Sequence, residues 1–187
     1  MQHVMTTPGG RHGVRTNHCF GGRSGLGCRH RAPAAAQTGQ APATIQQLVA
    51  NYAAAWGGRD PDSIAALHTP DTIFDLRIAG ETPQIGRQAV RKRFGRILRD
   101  NPGYASTVTK VGFGPDFVVI ECKIAMAPPA PFVLGRVRYT PRTAPYALPA
   151  IDVIRFRDGL ISEKVTFLDV DTIRTNSHAS DAVQVAR

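Results

Sequence analysis

Between Gly103 and Asp169 the chain holds five consecutive β-rich segments and no helical pattern, and that run constrains the fold more than any other feature. The segments lie near 104–113, 117–127, 132–140, 147–157 and 160–169. Two of the connections, Gly112 to Asp116 and Arg157-Asp158-Gly159-Leu160, read as hairpin turns. The Pro-rich stretches 128–131 and 141–149 read as a long hairpin tip and a bulged or edge strand, because proline cannot donate to a strand ladder.

Helical signals come earlier. Thr44 followed by Gln47 fits a capping box, and Ile45, Leu48, Val49, Tyr52 and Trp56 then share one helical face until Gly57-Gly58 stops the helix. Asp60 is an N-cap and Pro61 fits the first helical position of a second helix, whose inner face is Ile64, Ala65, Leu67 and His68. The stretch from Thr72 to Ile78 alternates as a strand. A third helix spans about 87–99, with Val90, Phe94, Ile97 and Leu98 inward and arginines outward, until Asn101-Pro102-Gly103 breaks it. Helices first and hairpins later give an α+β layer, three helices packed on one face of an antiparallel sheet. The domain is expected to span 43–175. The strand pattern is lost after Asp171, and 176–187 reads as a flexible C-terminus.

Residues 1–42 differ in kind. They are Gly, Pro, Ala, Arg and His with almost no aliphatic side chains, too little apolar surface to offset an ordering entropy of roughly 1–2 kcal/mol per residue, and are expected to be disordered. They lack the apolar core of a secretory signal. Their acid-free, Arg-containing make-up resembles an organelle transit peptide, and a start codon assigned too far upstream is an equal alternative. His18-Cys19 and Cys28-Arg29-His30 could offer two Cys and two His to zinc, but neither pair has the usual two-residue gap, and no metal site is expected.

This split also explains the net charge of +9. Five arginines and no acid fall in 1–42, so the rest carries 18 basic against 14 acidic residues. Without a stripe of cations interleaved with aromatics, no nucleic-acid interface is expected in the domain. With three cysteines and no run of 18 apolar residues, the chain is expected to be cytoplasmic, without a disulfide framework or a membrane span.

Three blocks carry a family resemblance. Tyr52-Ala-Ala-Ala-Trp56-Gly-Gly-Arg-Asp60-Pro-Asp62 through His68-Thr-Pro-Asp71 resembles the opening of SnoaL-like proteins, within the nuclear transport factor 2-like superfamily. Ile85-Gly86-Arg87-Gln-Ala-Val90-Arg resembles the segment before the family's third helix. Ile151-Asp152-Val-Ile-Arg-Phe156-Arg-Asp158-Gly159-Leu-Ile-Ser-Glu163 resembles its final hairpin. The resemblance implies a cone-shaped curved sheet against helices, an interior pocket for a small apolar ligand, and a homodimer through the sheet.

Within that superfamily the motifs stand nearest to ketosteroid isomerases. The resemblance places Tyr52 where those enzymes keep an oxyanion-stabilising tyrosine, and Asp152 where they keep a neutral aspartic acid. Alternation puts Asp152, Ile154 and Phe156 on one strand face, and a carboxyl against an apolar cavity is held neutral by desolvation. A phenol and a neutral carboxyl would both donate to a developing enolate oxygen. Leu76 falls at the family's base position, with Asp75 one residue earlier. One residue reverses the face, so Asp75 serves as base only if a bulge restores the register; otherwise it points away and pairs with Arg77. Trp56, His68, Leu76 and Phe94 complete the expected pocket lining. Cys122 reads as a buried or strand-surface thiol. The Asp-Arg-Asp arrangement of the family's epoxide hydrolases has no counterpart at Glu121-Cys122-Lys123.

The expected function is cofactor-free acid–base catalysis on a small apolar carbonyl compound, an isomerisation, cyclisation or dehydration through an enolate-like state, with Tyr52, Asp75 and Asp152 as catalytic residues. The alternative is a non-catalytic ligand-binding or dimerisation module. A third reading gives the basic tail to an anionic surface.

Overall fold

The computed structural model describes residues 43–181. The tail, with its Cys19 and Cys28 pattern, and the last six residues lie outside them. Among the described residues, no helix is long and apolar enough to cross a membrane.

The first helix, α1 (Ile45–Gly57), begins as its capping box requires: Thr44 accepts from the Gln47 N–H, and the Gln47 side chain accepts from the Thr44 N–H at 2.9 Å. In α2 (Pro61–Ala66), both carboxylate oxygens of Asp60 fill orphan N–H groups, those of Asp62 and Ser63, each at 3.1 Å. His68 does not extend α2; it opens a strand, β1 (His68–Leu76). Thr69-Pro70-Asp71 continues that strand, and Pro70 is tolerated because it lies exposed where the β1 register is interrupted. The two-residue β2 (Gln84–Ile85) pairs with β1, and α3 (Arg87–Asp100) follows Gly86, whose φ of +87° favours glycine. Val90 and Phe94 are fully buried on its inner face. Burying such a side chain contributes roughly 1.5–3 kcal/mol.

The remaining chain forms β3 (Ser106–Phe113), β4 (Phe117–Met126), β5 (Phe132–Leu134), β6 (Val137–Pro141), β7 (Tyr146–Arg157) and β8 (Leu160–Leu168), then α4 (Val170–Thr175) and β9 (Ser177–Asp181). A six-stranded sheet has the order β2-β1-β8-β7-β4-β3, and a smaller sheet the order β5-β6-β9. Helices lie against a curved sheet, as the sequence implies. All pairings are antiparallel except β1 with β8, which is parallel.

Three expectations change. The single strand near 132–140 is a hairpin: Gly135 takes φ +62° and packs so close that a Cβ would stand 2.2 Å from the Ala79 carbonyl oxygen. A short fourth helix, α4, is capped by Asp169. The ordered chain also passes the boundary expected at 175. Ser177–Asp181 has no apolar alternation to reveal a strand, yet its backbone pairs with β6 throughout, so 177–181 belongs to the fold and not to a flexible C-terminus.

Candidate functional site

Two adjoining chambers lie between the helices and the inner sheet face. The first, about 130 Å³, is bordered by α3, the inner faces of β1, β7 and β8, and the β5 strand, with Leu76, Phe74, Ile97 and Leu134 in its wall and Arg93, Arg96, Asp100 and Asn101 along its partly open α3 side. The second, about 290 Å³, lies between α1 and the β3–β4 hairpin, lined by Val49, Tyr52, Ala53, Val108, Ile120 and Ile154. Trp56, Tyr104, Asp152 and Lys164 line both chambers. The larger chamber is near the lower end of ordinary ligand sites, and the walls are mainly apolar.

The polar centre comes from the register of the last hairpin. Asp152 lies opposite Thr166, and Ile154 opposite Lys164. Asp152 and Lys164 are thus diagonal neighbours on one face. The Lys164 ammonium forms an ion pair with Asp152 Oδ2, and Thr166 Oγ1 donates to Asp152 Oδ1 at 2.6 Å. Lys164 is only 5% exposed. The expectation of an apolar surround for Asp152 is therefore corrected: the buried Lys164 side chain stands against its carboxyl group. Lys164 Nζ also stands 5.8 Å from the centre of the Tyr52 ring, within cation–π range.

Tyr52 is buried, and burial, followed by the nearby Asp152 and Tyr104, pushes its hydroxyl well above the ordinary phenol range. Its hydroxyl lies 3.4 Å from His68 Nε2, and His68 Nδ1 lies 3.0 Å from Thr72 Oγ1. Burial, then Lys164 and Arg87, push the His68 imidazole down to about 3, so it is neutral at ordinary pH. His68 lies behind Tyr52 and lines neither chamber, because β1 begins at that residue and turns its ring into the core. Arg87 gives the Gly86-Arg87 motif its role: its Nε donates to the His68 carbonyl at 2.8 Å, tying α3 to the start of β1.

Asp75 is not at the site. The β1–β8 register is regular from Ile73 to Leu76, so no bulge rescues its direction. Leu76 faces the first chamber, while Asp75 lies on the other face, 2.9 Å from Arg77 Nε. The Asp75 base expected from the resemblance is absent from the cavity. Of the expected lining, Trp56, Leu76 and Ile154 are in the walls. Phe94 packs beneath Trp56 at a ring separation of 4.9 Å, as core rather than wall. Phe156 lies beyond both chambers, past a bulge at Arg155/Phe156. Cys122 is a buried thiol, and burial pushes its pKa up.

Sequence reasoning missed Lys164, Thr166 and Tyr104. Counting back from the Arg157↔Leu160 turn pair would set Asp152 against Val165 and point Lys164 outward. The bulge adds one residue to β8, and that residue turns Lys164 into the cavity.

Comparison with known proteins agrees with this architecture. Among solved structures, a hypothetical protein of ketosteroid isomerase-like fold from Catenulispora acidiphila, in complex with trimethylamine, is 22% identical with a TM-score of 0.59, over 72% of this chain and 94% of that one. A candidate SnoaL-like polyketide cyclase from a Jannaschia species is 20% identical with a TM-score of 0.59, over 80% of this chain and 100% of its own. Another from Shewanella denitrificans is 16% identical with a TM-score of 0.56, over 70% and 94%. No curated protein matches the chain. The SnoaL-like domain model matches residues 49–164, and the chain belongs to the SnoaL-like domain family.

Proposed function

We propose that the domain binds a small, mainly apolar carbonyl compound and moves a proton on it without a cofactor, with Asp152 as proton carrier and Lys164 as the charge that stabilises an enolate-like oxygen. The observation that supports this reading is the ion pair itself. A buried Lys–Asp pair is a weak source of stability, so its place in the wall of an otherwise apolar cavity favours a functional role. Thr166 holds one carboxylate oxygen and Lys164 the other, which fixes the plane of the carboxyl group. Tyr52 lines the second chamber with its hydroxyl near neutral His68 and supplies a phenol donor. Asp75 takes no part.

Double-bond migration in a set of small enones, followed with wild type, Asp152→Asn and Lys164→Met, tests the reading. Asp152→Asn should lower the rate by about 10²–10⁴ while ligand still binds. Binding by wild type with no turnover of any enone favours the second reading, a non-catalytic ligand-binding module. That reading has its own support in the outward direction of Asp75, the acid the isomerase pattern would use as base.

A homodimer through the sheet is part of the same proposal. Ile151 and Phe167 lie opposite each other on the outer face and are both exposed, with Ile73 also exposed on β1. Phe167→Glu should shift the protein to monomer in sedimentation; an unchanged mass would remove this interface.

A further inference from the structure

The two chambers share four side chains, and two of these are rings in tilted contact. Trp56 and Tyr104 stand with ring centres 5.0 Å apart and planes inclined by 31°. Trp56 is fixed from behind by Phe94 and by an edge contact with Tyr52 at 6.2 Å. Tyr104 is fixed through its backbone: Arg59 NH1 donates to its carbonyl at 2.8 Å, and its N–H donates to the Asn101 carbonyl at 2.9 Å. Its ring is held mainly by Trp56, and no hydrogen bond to its hydroxyl is present among the described residues.

We infer that Trp56 and Tyr104 form a partition that divides the cavity into two mainly apolar compartments of unequal size that share the Asp152–Lys164 pair. The ligand class that fits has a central carbonyl at Asp152–Lys164 and two apolar arms, the smaller under β5 and the larger between α1 and β3. This rests on the binding part of the proposed function. A cavity of about 150 Å³ lined by aliphatic and aromatic side chains accepts benzene, so the smaller chamber suits an arm no larger than one ring. The larger chamber, about 290 Å³, admits a bulkier arm. A rigid fused-ring ketone, which cannot bend around the partition, is excluded while the rings stay in place. Tyr104 is the specificity-determining residue, because its ring meets one aromatic neighbour, Trp56, whereas Trp56 also packs on Phe94 and Tyr52.

The experiment compares three ketones: benzylacetone with one ring, dibenzyl ketone with a ring on each side of the carbonyl, and progesterone as the rigid fused case. Trp56 is the sole tryptophan of the chain, so its fluorescence reports directly from the partition. Wild type should bind dibenzyl ketone most tightly and progesterone most weakly. Tyr104→Leu and Tyr104→Ala should each strengthen progesterone binding by about tenfold relative to dibenzyl ketone, while Tyr104→Phe should keep the wild-type order. The leucine variant keeps an apolar filler, so the comparison stands if the alanine variant does not fold.

An unchanged ratio of progesterone to dibenzyl ketone affinity in Tyr104→Leu overturns the partition, and so does tight progesterone binding by wild type. The functional reading survives either result if Lys164→Met still abolishes ketone binding. Failure of wild type to bind any of the three ketones overturns both.

Discussion

Asp75 on β1 and Asp152 on β7 each sit beside a cation, yet the two pairs occupy opposite faces of the same sheet. The Arg77 side chain that meets Asp75 is 56% exposed, so water screens the pair although the Asp75 side chain itself is only 13% exposed. The Lys164 side chain that meets Asp152 is 7% exposed and lies in a cavity wall. An exposed pair contributes about 0–1 kcal/mol. A buried pair gains more Coulomb energy but loses hydration on both partners, so it adds little net stability while becoming costly to break. A carboxylate–cation pair therefore has two consequences, set by whether its cation meets water or a cavity wall.

The largest expected effect is at the inner pair. Lys164→Met strands the Asp152 carboxylate and should destabilise by about 3–5 kcal/mol, read as a lowered urea midpoint. Asp152→Leu combined with Lys164→Met should recover most of that loss, whereas ketone binding should be absent in both. A single variant as stable as wild type would erase the distinction between the two pairs.

Next is the acid response of His68, which sharpens the comparison because the inner cation acts on it. The unfolded chain protonates this imidazole near 6.5 and the folded protein only near 3. Between those values the unfolded state holds more protons, so stability falls as pH falls from about 6.5 to 3 and is flat in this respect below. The loss is on the order of 5 kcal/mol across that window. Urea titrations at several pH values should show the slope in wild type and a reduced slope in His68→Gln. Lys164→Met should also reduce it, since the ammonium is the second cause of the shift after burial.

A smaller effect is expected from Tyr52→Phe, which leaves His68 Nε2 without its hydroxyl neighbour and should cost about 1 kcal/mol of stability. The smallest is at the outer pair: Asp75→Asn should change stability by less than about 1 kcal/mol and leave ketone affinity unchanged. A clear loss of ketone binding in Asp75→Asn would mean that the outer carboxylate reaches the site after all.

Much of the scaffold was legible because its signals are local. The Thr44–Gln47 box, the Asp60 cap and the Val90/Phe94/Leu98 stripe depend on neighbours within one or two turns. The inward direction of Asp152 and Ile154 followed from simple alternation. His68 was misplaced because the second helix ends earlier than its apolar spacing suggests, the next strand claiming that residue through pairing with Ile161. The β9 strand was invisible for a similar reason: Ser-His-Ala-Ser-Asp has no strand pattern and forms only because β6 offers a free edge.

By itself, then, the sequence determined the order of helices and strands, the family of the fold, and the presence of a tyrosine and an aspartate facing an interior space. Only the tertiary structure decided the chemistry of that space. The bulge at Arg155/Phe156 adds a residue to β8, and with a side-chain period of two a single residue exchanges inner and outer faces. No local signal in β8 announces that shift, and it brings a buried lysine beside Asp152 in the cavity wall.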